Sequence, residues 1–116
     1  MFFRLSEMTG TRRENIKDGP GGAMCHYCIS PGEKPEGSRF KMVARMELDP
    51  GAAVGEHEHS TDEEFYVVLS GKGLFTDDGV RQEIGPGDMM ITFQGHSHSI
   101  ENTGSDPLVF VAVIAE

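Results

Sequence analysis

The chain has 116 residues, 37% hydrophobic and 25% charged, with 15 glycines, 6 prolines and no tryptophan, which suits one turn-rich domain and leaves no room for two. Ten Lys and Arg stand against 19 Asp and Glu, a formal net charge of −9, and Arg12-Arg13 is the densest basic pair, so nucleic acid and anionic membranes are poor partners. No run of ~20 apolar residues exists to span a membrane, and the opening MFFRLSEMTGTRRE lacks the apolar stretch of a secretory signal; the expected location is cytoplasmic, with Cys25 and Cys28 reduced.

Residues 1–22 are polar and close on Asp18-Gly19-Pro20-Gly21-Gly22, a loop signal. They are expected to form an arm with little core of its own, able to pair with a partner subunit, ahead of a domain at 23–116. Residues 23–30 read as a first strand and 31–38 as a turn-rich loop. Over 39–48, alternation sorts Phe40, Met42, Ala44, Met46 and Leu48 onto one face and Arg39, Lys41, Val43, Arg45 and Glu47 onto the other. Asp49-Pro50-Gly51 ends that strand, 54–59 carries two histidines, and 64–70 is a strongly apolar strand. Asp77-Asp78-Gly79 predicts a hairpin between 74–76 and 80–84. Residues 89–93, 96–102 and the apolar 108–115 complete the set. The total is about eight or nine short strands at the turn spacing of a sandwich or barrel, with no sustained helical period. The expected fold class is all-β, a single-domain barrel or jelly roll.

His57 and His59 are separated by one residue. On a strand such residues share a face, about 6.5–7 Å apart at Cα, so two imidazoles can converge on one ion. Glu64 opens the next strand, beside them in a hairpin, and His98 comes from a later one. Taken alone, the pair also fits surface histidines in acidic loops, and Glu56, Glu58, Asp62 and Glu63 read as solvated charges.

The glycine spacing changes the balance. Gly51, five residues, His57, one residue, His59, four residues, Glu64, six residues and Gly71 form one pattern. Gly87, five residues, Phe93, one residue, Gly95, two residues, His98, three residues and Asn102 form a second. Together they resemble the two motifs of the cupin family, with Phe93 where the second motif usually has proline. The resemblance implies a cupin jelly-roll β-barrel of the small, single-domain kind. It also implies one divalent metal per chain, held by His57, His59, Glu64 and His98. Three imidazoles and a carboxylate suit octahedral Mn²⁺ or Fe²⁺ with two open positions, and Ni²⁺, Zn²⁺, Cu²⁺ and Co²⁺ remain compatible. The histidines must be neutral to bind, so occupancy is expected to fall below about pH 6.

Arg45 and Glu47 share a strand face. If it looks into the barrel, Arg45 can clamp a substrate carboxylate and Glu47 can act as acid or base; if the methionine face is inside, both meet solvent. Tyr66 and Val68, two and four residues beyond Glu64, should line the same interior, Tyr66 as core filler or as a hydrogen-bond partner for a ligand. Asn102, four residues beyond His98, is either polar support for the site or a turn-forming side chain. Cys25 and Cys28, three apart on a strand, face opposite sides and read as structural.

His98-Ser99-Ile100 and the run Met46-x-Leu48-x-Pro50-Gly51 resemble oxalate decarboxylases and related oxalate-active cupins. This implies a metal-dependent enzyme (a decarboxylase, dioxygenase or isomerase) acting on a small carboxylate or oxygenated organic molecule. Those decarboxylases carry two cupin domains, an arginine where Glu47 stands, and a lid glutamate beyond the last barrel strand, where this chain reaches Glu116. The alternatives are a non-catalytic module that binds or senses a metal and a small ligand, and a sugar-phosphate isomerase-like cupin. An apolar outer sheet face, with Phe40, Met42, Met46 and the 108–115 strand as its expected members, predicts a homodimer.

Overall fold

Period-two patterning and glycine-bearing turns resolve into ten strands in the computed structural model, which describes residues 1–116. They are β1 (Thr11–Glu14), β2 (Gly22–Ile29), β3 (Phe40–Leu48), β4 (Ala53–Glu58), β5 (Glu63–Ser70), β6 (Gly73–Asp77), β7 (Val80–Ile84), β8 (Met89–Thr92), β9 (Ser97–Asn102) and β10 (Leu108–Ala115). One sheet has six strands in the order β1-β2-β3-β10-β5-β8, the other four in the order β4-β9-β6-β7, and every pairing is antiparallel. No helix is long and apolar enough to cross a membrane.

The core lies between the sheets. Met42, Ala44, Met46 and Leu48 of β3, Tyr66 and Val68 of β5, and Phe110 and Ala112 of β10 meet Val54, Phe75 and Ile100 of the smaller sheet. Inward positions alternate with outward ones along β3, as a half-buried strand requires. The β6–β7 hairpin turns on Asp78 at φ 47° and Gly79 at φ 83°, two successive left-handed residues that match the twist of the flanking strands. Cys25 is buried and Cys28 exposed, and neither is in a disulfide.

Two expectations about faces and edges change. Residues 11–14 are not a free arm: they pair with β2 of the same chain, and Ile16, 8% exposed, joins the core. Being polar and exposed at all four positions, β1 lacks the alternation that marks a strand, since an edge strand held by backbone hydrogen bonds needs no apolar face. Met42 and Met46 lie inside rather than on the outer face. The outer face of the six-stranded sheet is built instead from Val111 and Val113 of β10, Phe65 and Val67 of β5, and Met89 and Ile91 of β8, aligned by the strand register.

Candidate metal centre

Strand register brings four donor side chains together. His57 of β4 pairs directly with His98 of β9, and Glu64 of β5 pairs with Thr92 of β8. His59 lies just past β4, where its backbone N–H donates to His96 O at 3.0 Å and its carbonyl accepts from Gly95 N at 2.7 Å. This holds the end of β4 against the loop between β8 and β9. His59, Glu64 and His98 are buried at 5%, 5% and 1% exposure, and His57 is partly buried.

The four converge on one point. His98 Nε2 lies 3.0 Å from His59 Nε2, 3.1 Å from His57 Nε2 and 3.0 Å from Glu64 Oε1. Glu64 Oε1 is 3.1 Å from His59 Nε2 and 3.9 Å from His57 Nε2. The far side of each ring is anchored. His57 Nδ1 donates to Gly55 O at 2.7 Å, His59 Nδ1 donates to the Asp62 carboxylate at 2.6 Å, and His98 Nδ1 meets Thr92 Oγ1 at 2.7 Å. A carbonyl and a carboxylate only accept, so the neutral rings of His57 and His59 carry their protons on Nδ1 and turn bare Nε2 lone pairs toward Glu64 and His98.

Converging lone pairs beside an ionised carboxylate are what a cation would satisfy. An ion with bonds of about 2.1 Å sets adjacent octahedral ligands about 3.0 Å apart and tetrahedral ones about 3.4 Å. Four of the five separations above, at 3.0–3.1 Å, lie near the former, and His57 to Glu64, at 3.9 Å, fits neither. The four residues therefore fit a divalent metal and could hold one.

Electrostatics agree with the geometry. Burial alone would raise the Glu64 carboxyl, but in the metal-free site, when the rings carry a proton on Nε2 as well, hydrogen bonds from His57, His59 and His98 outweigh it and hold the group far below the usual carboxylate range. The bond to Glu64 raises His59 against the opposing effect of burial, with Asp62 adding to the rise. Burial lowers His98 despite Glu64. Burial, reinforced by the Glu64 charge, pushes the Tyr66 phenol well up, so it stays neutral. The Tyr66 ring stacks on that of His98, with centroids 5.1 Å apart and planes 14° from parallel, and fixes that ligand from the core side.

The cluster opens into a cavity of about 250 Å³ whose walls include Met42, Met46, Val54, Tyr66 and Ile114. Arg45 and Glu47 are not among its walls. They occupy the outward positions of β3, between the buried Ala44, Met46 and Leu48, and pair with each other. Their expected pocket roles are thus corrected: the methionine face won the interior because it buries apolar surface without leaving a charge unpaired. Asn102 is corrected too. Its side chain donates to Leu48 O at 2.9 Å and Asp106 O at 2.8 Å and accepts from Gly104 N at 2.9 Å, so it staples the turn into β10. At four residues from His98 along a strand it is about 13 Å away.

Two supporting residues were not legible as such. Asp62 read as a solvated charge, yet it bridges His59 and Lys41, whose Nζ donates to it at 2.7 Å. Its place three residues after His59 was the available signal. Thr92 gave none, because its role depends on the β5–β8 and β4–β9 registers.

The fold and site define a small, antiparallel two-sheet protein with a buried three-histidine, one-glutamate centre. The Cupin domain family matches residues 44–114. The oxalate-binding protein of Thermotoga maritima is 40% identical over 114 residues, 98% of this chain and 93% of that protein. A crystal structure of a predicted oxalate decarboxylase from Thermotoga maritima superposes with a TM-score of 0.91 at 40% identity, covering 99% of this chain and 98% of that one. The structure of KdgF from a Halomonas species shares the fold at a TM-score of 0.78 and 19% identity, covering 100% of this chain and 94% of that one. The chain belongs to the cupin family, as a single-domain jelly-roll member.

Proposed function

We propose that this cupin holds one divalent metal through His57, His59, Glu64 and His98 and uses it to bind a small carboxylate such as oxalate. The observation that carries the reading is the set of four donor atoms aimed at one point, with the ring protons of His57 and His59 turned outward. A donor set of three imidazoles and one carboxylate suits Mn²⁺ or Fe²⁺, with other divalent transition metals compatible. A bound ion would supply the positive charge that draws an anion into an acidic protein. The protein's own part is to fix the ligand rings, keep Tyr66 neutral, and wall the cavity with Met42, Met46, Val54 and Ile114. The oxalate-binding name of the 40%-identical relative supports a carboxylate ligand.

Binding without turnover is favoured by the outward placement of Glu47, the residue expected to act as acid or base, and of Arg45, expected to clamp the substrate carboxylate. Metal-dependent turnover of the carboxylate is the second reading. One observation favours it: Glu58 lines the cavity and has no cationic partner, so a carboxylate is free to act as acid or base. Calorimetric titration of oxalate into manganese-loaded protein, with product analysis of the mixture, tests both. Saturable, metal-dependent binding is expected; equal heats with and without metal would refute the proposal, and formate or CO₂ in the products would decide for the enzyme.

The apolar outer face of the six-stranded sheet supports a homodimer, in which a two-fold mate covers Phe65, Val67, Met89 and Ile91. Sedimentation at micromolar concentration is expected to give twice the chain mass, and a monomer would refute it.

A further inference from the structure

The cavity has a cationic side that the metal cluster does not account for. Arg12 and Arg13 are adjacent on β1 and project to opposite faces. Arg12 turns outward to Glu14 and Asp49. Arg13 sits opposite Ala23, and its neighbour Thr11 opposite Cys25, both fully buried, so Arg13 extends over the inner face of the six-stranded sheet. Its Nη1 donates to the Tyr27 hydroxyl at 3.3 Å, and both residues line the cavity with His57, His59 and Glu64.

Lys17 reaches the same cavity from a strained turn. Asn15, Lys17 and Asp18 stand at φ 51°, 53° and 62°, left-handed positions that non-glycine residues seldom occupy. Such a conformation persists where the surroundings over-determine it. Here the surroundings are β4. A Cβ on Gly55 would lie 2.0 Å from Lys17 O, and one on Gly19 would lie 2.2 Å from Ala53 O, so only glycines permit this backbone contact. Gly55 is also the residue whose carbonyl orients His57. The turn that presents Lys17 is therefore locked to the strand that presents a metal-ligand histidine.

Both cations are free of acidic partners. Of the ten Lys and Arg, Arg4, Arg12, Lys34, Lys41 and Arg45 each have a carboxylate within 4.0 Å; of the five that have none, Arg13, Lys17, Arg39, Lys72 and Arg81, only Arg13 and Lys17 line this cavity. An unpaired guanidinium fork and an unpaired ammonium facing one cavity form a recognition element for an anionic group, the fork taking two oxygens of a carboxylate side by side.

We propose that Arg13 and Lys17 clamp the outer carboxylate of a small dicarboxylate whose inner carboxylate sits at the His57–His59–Glu64–His98 centre; this rests on the metal-and-carboxylate reading above. The clamp makes the site selective for dianions.

The test is calorimetry on manganese-loaded protein with oxalate, malonate, acetate and inorganic phosphate as probes, the metal content of every variant being measured. The wild type is expected to bind a dicarboxylate at least about 10-fold more tightly than acetate. Arg13→Gln should weaken dicarboxylate binding about 10- to 100-fold while changing acetate less than about 2-fold, with manganese content unaltered. Lys17→Gln should act in the same direction by a smaller factor. Arg13→Lys, which keeps the charge and loses the fork, should also reduce the preference, and it carries the test if Arg13→Gln does not fold. Unchanged selectivity in the folded Arg13 and Lys17 variants, or equal weakening of acetate and dicarboxylate, would overturn the clamp and leave the carboxylate reading standing. Phosphate binding more tightly than every dicarboxylate would overturn the assignment of ligand class. No carboxylate binding by the loaded wild type would sink the clamp and the underlying reading together, and that outcome is seen before any variant is made.

Discussion

Removing the Asp62 carboxylate should weaken metal binding although Asp62 touches no metal. Asp62 accepts from His59 Nδ1 at 2.6 Å and from Lys41 Nζ at 2.7 Å, with side-chain exposures of 13% for Asp62 and 5% for His59. Burial alone would raise the Asp62 carboxyl, but Lys41 and His59 outweigh it and hold it lowered, so it is ionised at neutral pH. In Asp62→Ala the buried Nδ1 proton has no acceptor, and the His59 ring is free to shift its proton to Nε2, which removes the lone pair a metal needs. Loss of a carboxylate that orients a ligand histidine typically costs 10- to 100-fold in affinity, or about 1.4–2.8 kcal/mol. Asp62→Ala belongs near the upper end. Asp62→Asn belongs near the lower end, because its amide oxygen still accepts from His59 while its NH₂ group opposes Lys41. Competition between protein and a chelator of known affinity measures the difference. An Asp62→Ala affinity within about 2-fold of wild type would refute the idea that this carboxylate holds the ring.

Metal occupancy should also follow pH in a defined direction. The raised His59 holds its proton to higher pH than an ordinary histidine, and a metal must displace that proton. Occupancy is therefore expected to be full in neutral and alkaline solution and to fall as pH drops below about 6, and full occupancy near pH 4.5 by equilibrium dialysis would contradict this. In metal-free protein the depressed Glu64 contributes stability present above its unfolded value of about 4.3 and lost only as pH falls further; thermal melts from about pH 6 to 3 should show that decline. Arg45→Ala should leave metal and carboxylate binding unchanged and cost under about 1 kcal/mol in urea unfolding, because the Arg45–Glu47 pair is partly exposed on the outer face; a loss of ligand affinity would return Arg45 to the site. Phe110→Ala should destabilise by about 3–5 kcal/mol, since Phe110 is fully buried and packs edge-on against Tyr66 with centroids 5.0 Å apart.

Much of this protein was legible because its strands obey local rules. Glu64, Tyr66 and Val68 share the inner face of β5, and Asp77-Asp78-Gly79 makes the β6–β7 hairpin. The four donor residues were marked by glycine-framed spacing, and they do meet. What stayed hidden depends on facts that a single strand does not carry. Thr11–Glu14 reads as a polar arm because an edge strand is held by backbone hydrogen bonds to β2. The two faces of β3 can be told apart by alternation, but which one looks inward is decided by β10 and β2 on either side. Thr92 reaches His98 only after two registers are set, and Arg13 reaches the cavity only because Thr11–Glu14 is part of the sheet.

The most direct test of the central claim is elemental analysis by mass spectrometry on protein purified without chelators or added metal, beside a His59→Ala control. The account predicts close to one divalent metal per chain, with manganese or iron prominent, and its loss in the control. Metal-free protein that stays empty after reloading, or metal retained equally by His59→Ala, would contradict it.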